Sequence, residues 1–144
     1  GAVGVAAHEA GHAVQYAVGY APVKLRAAII PATSFGSQAA MPLFIIGLII
    51  SAYSTTGNSL GYTLMVAGIM FFSLAVLFQL VTLPVEFNAS RRALATLESS
   101  GMLGREELSA SGKVLRAAAL TYVAALAVAL LNLLRLVLIA GRRR

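Results

Sequence analysis

"GYTLMVAGIMFFSLAVLFQLVTLPVEFNASRR", residues 61–92, runs for its first 23 positions without a charged side chain and reaches Glu86 three residues later. A helix rises 1.5 Å per residue, so positions 61–83 extend about 34 Å, enough to cross a hydrocarbon core of roughly 30 Å. Pro84 has no N–H to continue the ladder and is expected to end that span, leaving Glu86 at its mouth. Two other stretches read as spans. Residues 39–53 are charge-free, somewhat short for a crossing but extendable through Thr56, and 117–140 are apolar except for Asn132 and Arg135. An uncharged turn, "STTGNS" at 54–59, joins the first span to the second. Of 144 residues 59% are hydrophobic and 11% charged, against about a quarter charged in a soluble domain, so the chain cannot cover a surface that faces water. The expected fold is an all-α membrane protein forming one domain over 1–144. It is a helical bundle of about three transmembrane helices, with a separate helix over 2–19 and an interfacial helix over 85–98.

Charge sets the expected topology. Lys24 and Arg26 precede the first span, and Arg91, Arg92, Arg105, Lys113 and Arg116 follow the second. The positive-inside rule therefore puts 1–38 and 84–117 on the cytoplasmic side. Arg142 to Arg144 oppose this, because a third crossing carries them outside. The net charge of +6 sits beside apolar spans, where it suits lipid headgroups, so no nucleic-acid partner is expected. With no cysteine, disulfides and thiolate metal sites are excluded. Residues 20–38 hold Pro22, Pro31 and Gly36 and read as an interfacial loop with a short extended piece. "SSGMLG" at 99–104 reads as a break between helices. Gly47, Gly57, Gly61 and Gly68 read as places of close helix approach. The chain opens inside an apolar helical pattern without an initiator methionine, which points to the C-terminal part of a longer protein.

Both histidines of the chain fall in "VAAHEAGHAVQ", residues 5–15. On a helix His8 and His12 lie one turn apart on one face and can present imidazole nitrogens to a single point. Zinc accepts neutral imidazole, and Glu9 between them can orient and deprotonate a zinc-bound water. Shuffling this composition gives H-E-x-x-H on the order of once in two thousand trials, so a metal site outweighs a pair of incidental helix histidines. A catalytic zinc takes three protein ligands and keeps one open position. A third histidine or an aspartate does not exist here, which leaves a glutamate. Glu98, Glu106 and Glu107 sit among basic and small polar residues and read as a solvated helix face. Glu86, at the mouth of a span and on the same side as the histidines, is the expected third ligand.

Together "AAHEAGHAVQ", "LPVEFNASRRAL" and "AALTYVAALAVALLNLLRLVLI" resemble the bacterial YugP-like neutral zinc metallopeptidases, a group of membrane-embedded gluzincins. The resemblance runs in order from about residue 5 to 140. It implies zinc ligands His8, His12 and Glu86, one Zn²⁺ per chain and Glu9 as general base. The anchoring helix and soluble stretch that precede the motif helix in the family have no counterpart here. Related membrane gluzincins read E-x-x-x-D on the third-ligand helix; this chain has Ser90 at that place, where a hydroxyl can accept an imidazole N–H.

The resulting expectation is a membrane-embedded zinc endopeptidase that hydrolyses unfolded or membrane-associated polypeptides with a Glu9-activated, zinc-bound water. It would be multi-pass in a bacterial inner membrane, with its site near the cytoplasmic face. Arg91 or Arg92 is a candidate oxyanion donor, Asn88 a candidate anchor or substrate contact, and Gln15 a candidate partner of the histidines. Residues 24–37 are the one candidate for an extended edge that pairs with substrate. Asn132 and Arg135 are expected to pack inside the bundle. Two other readings compete. One is a catalytically silent scaffold or partner-binding subunit with a structural zinc or none, and an intact Glu9 argues against it. The other is a zinc transporter, against which stands Glu86 after the proline at a helix end.

Overall fold

The computed structural model describes residues 2–53 and 59–143. It contains four helices: α1 Ala2–Ala17, α2 Ala21–Tyr53, α3 Ser59–Ser100 and α4 Arg105–Gly141, with no strand among the described residues. The protein is an all-helical membrane protein. α2, α3 and α4 are each long and apolar enough to cross a bilayer. They leave large apolar side chains exposed along their lengths, among them Ile45, Ile49, Met70, Leu77, Leu131 and Leu134. A surface of that kind is solvated by lipid, not water.

Local chemistry sets the helix ends. α1 stops at Gly19, whose φ of 67° is a left-handed conformation that suits glycine. There the Gly19 N–H donates to Tyr16 O and the Tyr20 N–H to Gln15 O, the paired bonds of a Schellman cap. Tyr20 O then accepts the Val23 N–H and opens α2, with Pro22 in the first turn, where a missing N–H costs nothing. The expected break at 99–104 is present, with Gly101 at φ 63°. The Gly104 N–H donates to Glu107 Oε2 across 3.1 Å, so Glu107 caps α4.

Three expectations need correction. Residues 21–38 are helix and not a loop, so 24–37 offers no extended edge to a substrate. Pro84 does not end the second span; α3 runs through it to Ser100, and Glu86 belongs to that same helix instead of a separate interfacial one. Pro31 and Pro42 likewise sit inside α2. The reason is the solvent. In hydrocarbon an open backbone finds no water, so continuing the helix around a proline costs less than leaving it. Thr33 Oγ1 donates to Ile29 O and Ile30 O at 3.0 Å in the turn after Pro31. The 54–58 part of the expected turn lies outside the described residues.

The chain forms two compact units, 1–28 with 80–125 and 29–79 with 126–144. In the second unit α2 and α3 run antiparallel with their backbones in contact. A Cβ added at Gly47 would lie 2.6 Å from Gly61 O, and one at Gly68 would lie 2.7 Å from Ala40 O. Of the glycines expected to allow close approach, Gly47, Gly61 and Gly68 do so, and Gly57 is outside the described residues. Phe44, Met65, Leu136 and Ala140 form the core of this unit. In the first unit α1 packs on the C-terminal part of α3, where Val85, Ala89 and Ala93 are buried.

Candidate metal centre

α1 approaches α3 through a single gap in its own surface. A Cβ at Gly11 would meet Ala89 O at 2.5 Å and Ala89 C at 3.1 Å, so only glycine permits this contact. Gly11 lies between His8 and His12 in sequence, and the close approach it allows brings both rings over Glu86. His8 Nε2 lies 3.1 Å from Glu86 Oε2, and His12 Nε2 lies 3.5 Å from the same oxygen. The three ligand atoms of His8, His12 and Glu86 lie within 4.8 Å of one another. Donors bound to one tetrahedral zinc at roughly 2.0–2.1 Å stand about 3.3–3.4 Å apart, close to the two separations seen here.

Hydrogen bonding sharpens the reading. Gln15 is fully buried, and its Nε2 donates to Val85 O at 2.7 Å and to Asn88 Oδ1 at 3.1 Å. The Val85 carbonyl can only accept, so the Gln15 amide has one orientation and its Oε1 faces His12 Nδ1 at 2.9 Å. His12 must therefore carry its proton on Nδ1. A neutral His12 then turns a lone pair on Nε2 toward the Glu86 carboxylate, two acceptors facing across 3.5 Å. A cation between them removes the repulsion, and these residues fit zinc on that ground. His8 is arranged alike: Ser90 Oγ lies 3.3 Å from its Nδ1, where the ring N–H can donate to the hydroxyl oxygen.

Glu86 is 2% exposed, and such a carboxylate needs partners. Arg26 Nη1 donates to Glu86 Oε1 at 3.1 Å, which holds the other oxygen toward the histidines. The Tyr122 hydroxyl on α4 also interacts with Glu86. Of the residues expected around the site, Gln15 and Ser90 touch the histidines directly. Asn88 accepts from Gln15, and Arg92 Nε donates to Asn88 Oδ1 at 2.8 Å. Arg91 makes no hydrogen bond or ion pair with this group among the described residues; it lines a cleft with Phe87, Leu94 and Leu115. Glu98 is exposed, and Glu107 caps α4.

Sequence reading missed Gly11, Arg26 and Tyr122. Gly11 carried a signal, a glycine inside a helix where it costs about 1 kcal/mol relative to alanine. Arg26 was masked by its role as a topological charge in a supposed loop.

The arrangement predicts a graded result. Gln15→Leu frees His12 to take either tautomer and is expected to weaken zinc binding about 10–100-fold, as loss of such partners commonly does. Competition with a chromophoric chelator measures it, and an unchanged affinity would remove Gln15 from the account.

Residues 1–141 match a family described as "Putative neutral zinc metallopeptidase". The chain belongs to this family. Membership in the neutral zinc metallopeptidase family implies zinc, and the His8, His12 and Glu86 group could hold it. A relative in Bacillus subtilis (strain 168), "Putative membrane protease YugP", is 46% identical over 138 residues, covering 96% of this chain and 57% of that protein. The chain thus spans a little over half the length of that curated relative. No solved structure matches.

Proposed function

We propose that the protein is a membrane-embedded zinc endopeptidase with one Zn²⁺ held by His8, His12 and Glu86. The observation that carries this reading is the convergence of the His8, His12 and Glu86 ligand atoms within 4.8 Å of one another, with Gln15 Oε1 holding His12 Nδ1 as a donor so that Nε2 of the neutral ring faces Glu86. Held by these three residues, zinc would supply a water of lowered pKa and would polarise the scissile carbonyl. Glu9 follows His8 on α1 and is exposed. Its role is to take a proton from the attacking water and pass it to the leaving amine. Arg26 keeps Glu86 oriented, and Arg26 Nε is buried with no hydrogen-bond partner. The Tyr122 hydroxyl, beside Glu86, is the group suited to a developing oxyanion, in preference to Arg91.

The substrate class is an unfolded or membrane-associated polypeptide, because the site lies on helices continuous with apolar spans. Lys24, Arg26, Arg91 and Arg92 beside the spans support a site near the cytoplasmic face of a bacterial inner membrane, in a multi-pass protein. Glu86 is not at a helix end, but it follows the charge-free run 61–83 and precedes Arg91 and Arg92, the sequence of an interface. Detergent-extracted protein given a fluorescently labelled unfolded polypeptide is the test. Cleavage that stops with a chelator and returns with about one equivalent of zinc is expected. Zinc-loaded protein that cleaves no such substrate, or cleavage indifferent to chelation, would count against the reading.

A further inference from the structure

Away from the zinc ligands, the second unit holds a cleft of about 390 Å³ whose walls are mostly apolar, including Phe44, Ile45, Leu48 and Phe72. Asn132 and Arg135 of α4 also line it. Both are exposed, contrary to the expectation that they pack inside the bundle. Arg135 has no carboxylate within reach of pairing in its own unit, since 29–79 and 126–144 contain neither aspartate nor glutamate. Nor does it make a hydrogen bond or ion pair among the described residues. An arginine in a spanning helix is costly unless something neutralises it. Here that something has to come from outside this unit of the chain.

We propose that this cleft binds one anionic phospholipid, its phosphate on Arg135 and Asn132 and an acyl chain along the apolar wall. Charge selects this occupant. Arg135 stands six residues before the C-terminal end of α4 at Gly141, about 9 Å along the axis, and shares its cleft with Phe72 from the middle of the charge-free run 61–83. The headgroup is therefore drawn below the phosphate layer to meet a guanidinium that snorkels outward along the apolar groove. Guanidinium and phosphate pair through two parallel hydrogen bonds, and Asn132, one turn earlier on the same helix, supplies a neutral donor. The proposal also accounts for Arg142 and Arg143, which follow directly and oppose the positive-inside rule. Basic residues at this end serve headgroup binding, not topology.

Native mass spectrometry of the full chain in mixed micelles tests this, with phosphatidylglycerol and phosphatidylcholine of matched chains as probes. The unmodified protein is expected to retain one phosphatidylglycerol about five-fold better than phosphatidylcholine, the preference that one basic contact supplies. Arg135→Gln should erase the preference, Arg135→Lys should keep part of it, and Arg105→Gln should leave it intact. Circular dichroism and a single symmetric gel-filtration peak check that each variant is folded. Equal retention of the two lipids by the unmodified protein would overturn the proposal. So would a preference that survives Arg135→Gln, or a lipid-free species of twice the chain mass, which would assign the cleft to a second copy.

Discussion

Glu9→Gln is expected to lower peptide hydrolysis by about 10²–10⁴-fold while zinc stays bound at full stoichiometry. The substitution keeps the size and hydrogen-bonding shape of the side chain and removes only its ability to take a proton. Glu9 is not among the three converging ligands, and among the described residues no hydrogen bond or ion pair with His8, His12 or Glu86 ties it to their placement. Activity and metal content should therefore separate. Metal analysis beside a rate measurement on the same preparation checks this. A variant that loses both would make Glu9 structural, and one that loses neither would exclude it as the base.

Gly11→Ala tests how the site is assembled. On an isolated helix this change would stabilise by about 1 kcal/mol, because alanine loses less backbone freedom than glycine. Here the new methyl would stand 2.5 Å from Ala89 O, and the obstacle is backbone that cannot rotate away. Overpacking of this kind costs about 1–3 kcal/mol and the collision wins. α1 must lift from α3, which moves His8 and His12 off Glu86 together. Loss of most zinc binding with retained helical content is the expected result, read by metal analysis and circular dichroism. Gly4→Ala, on the same helix with open space around its position, should leave zinc binding unchanged. Equal behaviour of the two variants would mean that Gly11 does not set the approach.

Much of this protein is legible in its sequence, and the losses share a cause. The apolar runs give the spans because burial of apolar side chains in lipid depends on local composition alone. His8, His12 and Glu86 were reachable because scarcity leaves few candidates: two histidines, five glutamates and no aspartate. Gln15 showed itself by lying one turn past His12. The prolines misled because Pro31 and Pro84 were weighed as they act in water, where a broken helix can solvate its ends. In lipid the same residues are carried within continuous helices. Reading 20–38 as a loop then hid Arg26, since a residue assigned to no helix has no face to share. Arg26 is 60 positions from Glu86, and Tyr122 36 positions beyond it, so neither pairing leaves a local pattern. Asn132 and Arg135 were noticed for their cost in lipid, but only the cleft shows that they stay exposed.

Zinc content of the purified chain beside Glu86→Gln and Glu98→Gln tests the central claim most directly. About one zinc per chain, lost in Glu86→Gln and retained in Glu98→Gln, is the result this account predicts. Zinc held as well by Glu86→Gln as by the unmodified chain would contradict it, because Glu86 Oε2 is the atom on which both histidines converge.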